Sequence, residues 1–183
     1  MIIVVVLLVV LVVVAVVAVV LYNGLVALRN KVEAAWSQID VQLTRRSELI
    51  PNLVETVKGY AAHEKETLDA VISARNAANA ATTPRDKAAA DDVLTGALKS
   101  VFALAEAYPD LKANQNFLNL QETLTATEDK VAYARQFYND TVNRYNTKIQ
   151  TVPSSLVASR FGFTEREYFE AGGEARGPVD VSF

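Results

Sequence analysis

Residues 42–64 read QLTRRSELIPNLVETVKGYAAHE, and how this stretch divides decides the fold. Apolar residues recur through it at helical spacing (Leu43, Ile50, Leu53, Val54, Val57, Ala61), the step that lays one stripe along one helix face. Against that rhythm stand an arginine pair, a proline and a lone histidine. Proline is tolerated in a helix's first turn and costly in its interior, because it lacks a backbone donor and crowds the preceding turn. Arg45 and Arg46 suit the negative end of a helix dipole, Ser47 suits a cap, and Glu48 suits a first turn. The stretch therefore predicts a helix ending at Arg45–Arg46, an exposed turn over 45–48, and a second helix starting at Ser47–Pro51.

Upstream, Leu25, Leu28, Val32, Trp36, Ile39 and Leu43 form the stripe of the first helix. It is preceded by Ile2–Leu21, twenty consecutive apolar residues. At 1.5 Å per residue they span about 30 Å, the thickness of a bilayer's hydrocarbon layer. Nothing basic precedes the run and no A-x-A-like cleavage site closes it, which favours an uncleaved anchor over a signal peptide. Twelve of the twenty are valine, a weak helix former in water that lipid nonetheless forces into a helix. An apolar surface all round serves lipid or a core shared by several copies equally well, so a transmembrane helix and an oligomer-core helix both stay open. Arg29, Lys31, Arg45 and Arg46 follow the run; the positive-inside rule then puts the N-terminus outside and the main domain in the cytoplasm. Arg45 itself falls about 36 Å beyond Leu21 along a straight helix, outside the headgroup layer.

Downstream, the second stripe passes Leu68, Val71 and Ile72 and ends at NAANAATTP, where Thr83 is placed to cap a third helix opened by Pro84. The third stripe (Val93, Leu94, Ala97, Leu98, Val101, Leu104) stops at Pro109. In the fourth, Phe117, Leu124, Val131, Tyr138, Tyr145 and Val152 recur at strict sevens, the mark of a packed helical seam. Short connections favour antiparallel neighbours. The expected fold is all-α: the anchor (1–22) continues into an antiparallel up-and-down four-helix bundle (23–153), followed by an extended tail (154–183). That tail holds an aromatic group, Phe161, Phe163, Tyr168 and Phe169, suited to packing on the bundle or on a neighbouring copy. It closes on PVDVSF, whose Val179, Val181 and Phe183 alternate as a strand that pairs with a partner's sheet edge would.

The residues offer little chemistry. With no cysteine, the chain has no disulfide and no thiol-based site. A net charge of -3 argues against nucleic acid as a partner. A di-metal carboxylate bundle needs two Glu-x-x-His pairs, and His63 is the sole histidine, three residues after Tyr60. HEKE at 63–66 is not the zinc-protease motif, since position 67 is Thr. No metal, cofactor or catalytic residue is expected. His63 reads as a half-buried, hydrogen-bonded side chain or as a pH-sensitive group. Four charges fall on or beside apolar stripes: Glu64 and Arg75 on the second helix, Glu128 and Arg135 on the fourth. Core-facing charges need partners, so Glu64 with Arg135, or Arg75 with Glu128, is expected to fix the register of these helices.

The string RRSELIPNLV (45–54), the ARNAANAA that ends the second helix, ARQFYNDTVNRYNTKIQTVPSSLVASRFGF (134–163) and the closing YFEA…PVDVSF together resemble the LemA family of bacterial proteins. The resemblance implies a membrane-anchored helical bundle with a short outside N-terminus, and it carries over no catalytic residue. Expected partners are the lipid bilayer, further copies of the chain as a homo-oligomer, and a protein bound through the tail or the turn at 45–48. The expected role is a non-enzymatic scaffold of the bacterial cell membrane.

Overall fold

The apolar rhythm from residue 2 to residue 58 belongs to one unbroken helix. The computed structural model describes residues 1–170. In it α1 spans Ile2–Lys58, α2 Lys65–Ala80, α3 Pro84–Ala105, α4 Pro109–Lys112, α5 Gln115–Gln150 and α6 Ser154–Arg160. The described residues contain no strand, and the protein is all-α.

Two expectations need correction. There is no turn at 45–48: those residues lie inside α1, and so does Pro51. The break comes instead at 59–64, where the amide of Ala61 bonds the carbonyl of Val57 at 2.8 Å and that of Glu64 bonds Ala61 at 3.1 Å. Spacing alone hid this break, because Val57, Ala61 and Leu68 are all buried and keep their apolar rhythm across it. The tail is likewise not extended at its start. Residues 154–160 form α6, which ends on Gly162 at φ +70°, a left-handed conformation that a side chain would strain. There the Phe163 amide reaches back to the Ala158 carbonyl at 3.0 Å, closing the helix end in a Schellman pattern.

Thr83 caps α3 as its position suggests, its Oγ1 accepting from the Asp86 amide at 3.1 Å with Pro84 in the first turn. Along α5 the heptad residues Phe117, Leu124, Val131, Tyr138 and Tyr145 are all buried. The sixth, Val152, lies past the helix end and is 77 % exposed.

The chain divides into two compact units, and α1 and α5 contribute to both. One comprises residues 1–37 and 137–167, the other 38–136 with 168–170. In the larger unit a single core draws on the end of α1 (Ile50, Leu53, Val57), α2 (Leu68, Val71), α3 (Leu94, Leu98, Val101) and the start of α5 (Phe117, Leu124). Each such fully buried side chain contributes about 1.5–3 kcal/mol of burial free energy. In the smaller unit Trp36 packs on Tyr138 with ring centroids 5.5 Å apart. The segment after α6 is bound along α5: Asn146 accepts from the Arg166 amide and donates to its carbonyl, both at 2.9 Å, and the Tyr138 hydroxyl donates to Glu167 O at 2.8 Å.

Candidate functional site

The larger unit has a polar cluster inside its core, and the string RRS supplies its centre. On a continuous helix Arg46 is one turn before Ile50 and seven residues after Ile39, both fully buried, so it faces inward. Its exposure is 1 %. Nη1 donates to Asp91 Oδ1 at 2.6 Å, and Nη2 donates to Thr95 Oγ1 at 2.8 Å and to Glu128 Oε2 at 3.5 Å. Its Nε has no hydrogen-bond partner, nor does the buried Oε1 of Gln42 one turn earlier. Arg45, by contrast, is exposed. The expected exposed basic pair is therefore one solvated and one buried cation.

Asp91 is 7 % exposed. Burial pushes its carboxyl above the ordinary carboxylate range, outweighing the pull of the Arg46 guanidinium; Asp92 and Glu128 push the same way. A raised carboxyl favours the protonated folded state. Its stabilising contribution is thus complete below the unfolded value near 3.8 and is lost as pH rises through the folded value. The stability advantage of the native chain over an Asp91→Asn variant should grow as pH falls from 7 toward 4, followed by thermal melts at each pH. An advantage that shrinks toward acid pH would show a depressed carboxyl instead.

A second polar group lies on the α2 side of the same turn. Pro51 has no amide to give to the carbonyl four residues earlier, that of Ser47. Arg75 fills the vacancy, its Nε donating to Ser47 O at 3.0 Å, while Ser47 Oγ donates to Asn79 Oδ1 at 2.8 Å. A proline inside α1 is thus compensated by a side chain from α2.

The four charges singled out by sequence are all part-buried, but in other company. Arg75 holds the Ser47 carbonyl rather than Glu128, and Glu128 meets Arg46. Glu64 accepts from the Tyr108 hydroxyl at 2.9 Å, a bond that raises the phenol's pKa. Arg135 lies 3.8 Å from Asp92, a surface contact of little energetic weight, and stacks over the Phe169 ring at 5.8 Å. Neither expected pairing forms among these residues. His63 is exposed in the 59–64 turn, not half-buried. The aromatic group separates: Phe161 and Phe163 pack on Tyr22 of α1, Phe169 is buried beneath Arg135, and Tyr168 is 38 % exposed. Val179, Val181 and Phe183 lie outside the described residues.

Asp91 and Thr95 went unnoticed in the sequence, yet a signal existed. Asp91 precedes buried Leu94 by three and follows buried Ala88 by three, so it sits on the core stripe of α3. Val93, placed on that stripe by spacing, points outward and is 62 % exposed. Beside the cluster a cavity of about 180 Å³ is lined by Asp40, Thr44, Asn79, Lys87 and Asp91 among others, and Lys87 pairs with Asp40 across its rim. Among the described residues no three His, Cys, Asp or Glu side chains converge as metal ligands. The arrangement neutralises a buried cation and fixes the register of α1 against α2, α3 and α5.

A family model described as the LemA family matches residues 35–183. The chain is 28 % identical over 164 residues to Protein LemA of Metamycoplasma hominis, covering 87 % of this chain and 74 % of that one. It is 26 % identical over 175 residues to Magnetosome protein MamQ 2 of Paramagnetospirillum magneticum, covering 81 % of this chain and 64 % of that one. Magnetosome protein MamQ of Magnetospirillum gryphiswaldense is 25 % identical over 174 residues with the same coverage. The chain thus spans somewhat less than two thirds of the length of these magnetosome relatives.

Proposed function

Because the chain belongs to the LemA family, we propose that it is a membrane-anchored, non-enzymatic scaffold whose copies self-associate. Residues 2–21 cross a bacterial cell membrane with the N-terminus outside, and the residues after Tyr22 lie on the cytoplasmic side. The observation that carries this reading is the bare apolar surface at the start of α1. Its most apolar 18-residue window has a mean hydropathy of 3.9, and none of that window is buried within the chain. Such a surface needs lipid or other copies around it.

The fate of the polar groups supports a structural role. Inside the helical packing Arg46 donates to Asp91 and Thr95, Ser47 Oγ to Asn79, and Arg75 to the Ser47 carbonyl, so these groups tie helices to one another. Similarity to proteins named for the magnetosome supports membership of a larger cellular assembly. Light scattering coupled to size exclusion, on the detergent-solubilised full chain at micromolar concentration, should give several copies per particle. A strict monomer would remove self-association from the reading. An alkaline wash of the host membranes should leave the chain in the pellet, and its release would remove the anchor.

A further inference from the structure

Within the smaller unit, the register of α5 against α1 brings a second apolar element to the end of the span. Tyr138 packs on Trp36, and burial pushes the Tyr145 phenol up against the downward pull of Arg166 and then of Arg29, whose charge is felt from α1. Seven residues forward on α5 thus answer seven back on α1, as antiparallel helices require. One more such step on α1 reaches Tyr22, one residue past the apolar run, and α5 ends just short of that step at Gln150. The ring contacts agree: Phe161 and Phe163 lie 4.9 and 5.7 Å from the Tyr22 ring, edge to face. Burial agrees too, since Ala18 and Leu21 are half-buried where almost every earlier residue of α1 is exposed. The end of the segment 152–163 therefore packs at Tyr22, the residue that follows the apolar run.

At that level the segment exposes large apolar side chains. Val152 is 77 %, Leu156 68 % and Phe161 59 % exposed, although the heptad pattern would have buried the first. The left-handed Gly162 turns the chain so that phenylalanines on both its sides reach Tyr22. Charge is biased as well. From residue 141 to 164 the chain carries Arg144, Lys148 and Arg160 against the neighbouring carboxylate of Glu165, which accepts from Gln150 at 2.6 Å, and Arg29 stacks on Phe163 at 5.5 Å. Apolar side chains flanked by cations are the composition of an element that lies in the headgroup layer of an anionic bilayer.

We propose that residues 152–163 are a second membrane contact, dipping Val152, Leu156 and Phe161 into the interface of the bilayer that α1 crosses, with Arg160 and its neighbours on anionic headgroups. This rests on the membrane-anchored reading above. The chain has no cysteine, so one introduced cysteine takes a single environment-sensitive fluorophore.

The full chain is reconstituted in vesicles of phosphatidylcholine with phosphatidylglycerol and labelled at Leu156→Cys, Phe161→Cys, Leu11→Cys within the span, or Ala34→Cys. The last lies about 20 Å beyond Leu21 along α1. Lipids spin-labelled near the headgroup should quench the labels at 156 and 161 at least ~3-fold more than the label at 34, since an interfacial element sinks roughly 5–10 Å into this layer. Removing phosphatidylglycerol, or changing Arg160→Gln, should reduce that quenching while the label at 11 stays protected. Labels at 156 and 161 that behave like the one at 34, with the chain still resistant to alkaline extraction, would overturn the second contact and leave the anchor standing. Equal quenching failure together with loss of oligomers in Leu156→Glu would assign the patch to a second copy and also overturn it. Extraction of the whole chain by alkali would overturn anchor and contact together.

Discussion

Replacing Asp91 by leucine should lower the unfolding midpoint of the larger unit by about 15 °C or more. The change leaves the Arg46 guanidinium, 1 % exposed, without its 2.6 Å partner. Only a 3.5 Å contact to half-exposed Glu128 and the Thr95 hydroxyl would remain. Removing one member of a buried ion pair costs about 3–5 kcal/mol, because the other charge stays desolvated and uncompensated. In a unit of roughly 100 residues each kcal/mol moves the midpoint by about 4–8 °C. The double replacement Arg46→Met with Asp91→Leu should recover most of that loss, since well-packed apolar side chains often equal a buried pair in stability. Thermal melts of the full chain in detergent, followed by circular dichroism, read both values. If the double variant is as unstable as the single one, the cluster supplies more than mutual neutralisation.

Arg75→Met should cost about 1–3 kcal/mol, the penalty for leaving a buried carbonyl without a donor. The same change in a Pro51→Ala background should cost under about 0.5 kcal/mol, because an alanine amide restores the main-chain bond to Ser47. The coupling between positions 51 and 75, taken from the four melts, is the measured quantity. Equal losses in both backgrounds would mean that Arg75 contributes through packing or through charge, not through the Ser47 carbonyl.

These two sites also mark where sequence and structure part. Helix type, the Thr83 cap and the buried seam from Phe117 to Tyr145 follow from local spacing and composition, and the structure has all of them. The hairpin at 45–48 did not follow, because a local rule about proline was answered by a residue 24 positions away. Arg75 is invisible in a window around Pro51, though a proline in an apolar helical rhythm asks for a donor to the carbonyl four residues back. The ion pairs failed for a related reason. Stripe position told that Arg75 and Glu64 face inward, but which cation meets which carboxylate depends on the relative heights of helices joined through a turn that was itself misplaced. Arg46 is in phase with Ile39 and Ile50, and only a helix that runs on through it carries that phase into the core. Val152 differs again: the heptad continues through it, while the helix stops at Gln150.

The Ser47 carbonyl also changes how α1 can breathe. Elsewhere in a helix a carbonyl is tied to an amide of the same strand of backbone, so freeing it means unwinding a turn. Here it is tied to a side chain of α2, and Arg75 can exchange it for water with every main-chain bond of α1 intact. Together with the Ser47–Asn79 bond, this makes the polar tie between α1 and α2 at this level one of side chains, while Leu68 and Val71 hold α2 in the core. Pro51 thus makes one turn of a helix continuous from Ile2 to Lys58 depend on a donor from outside that helix.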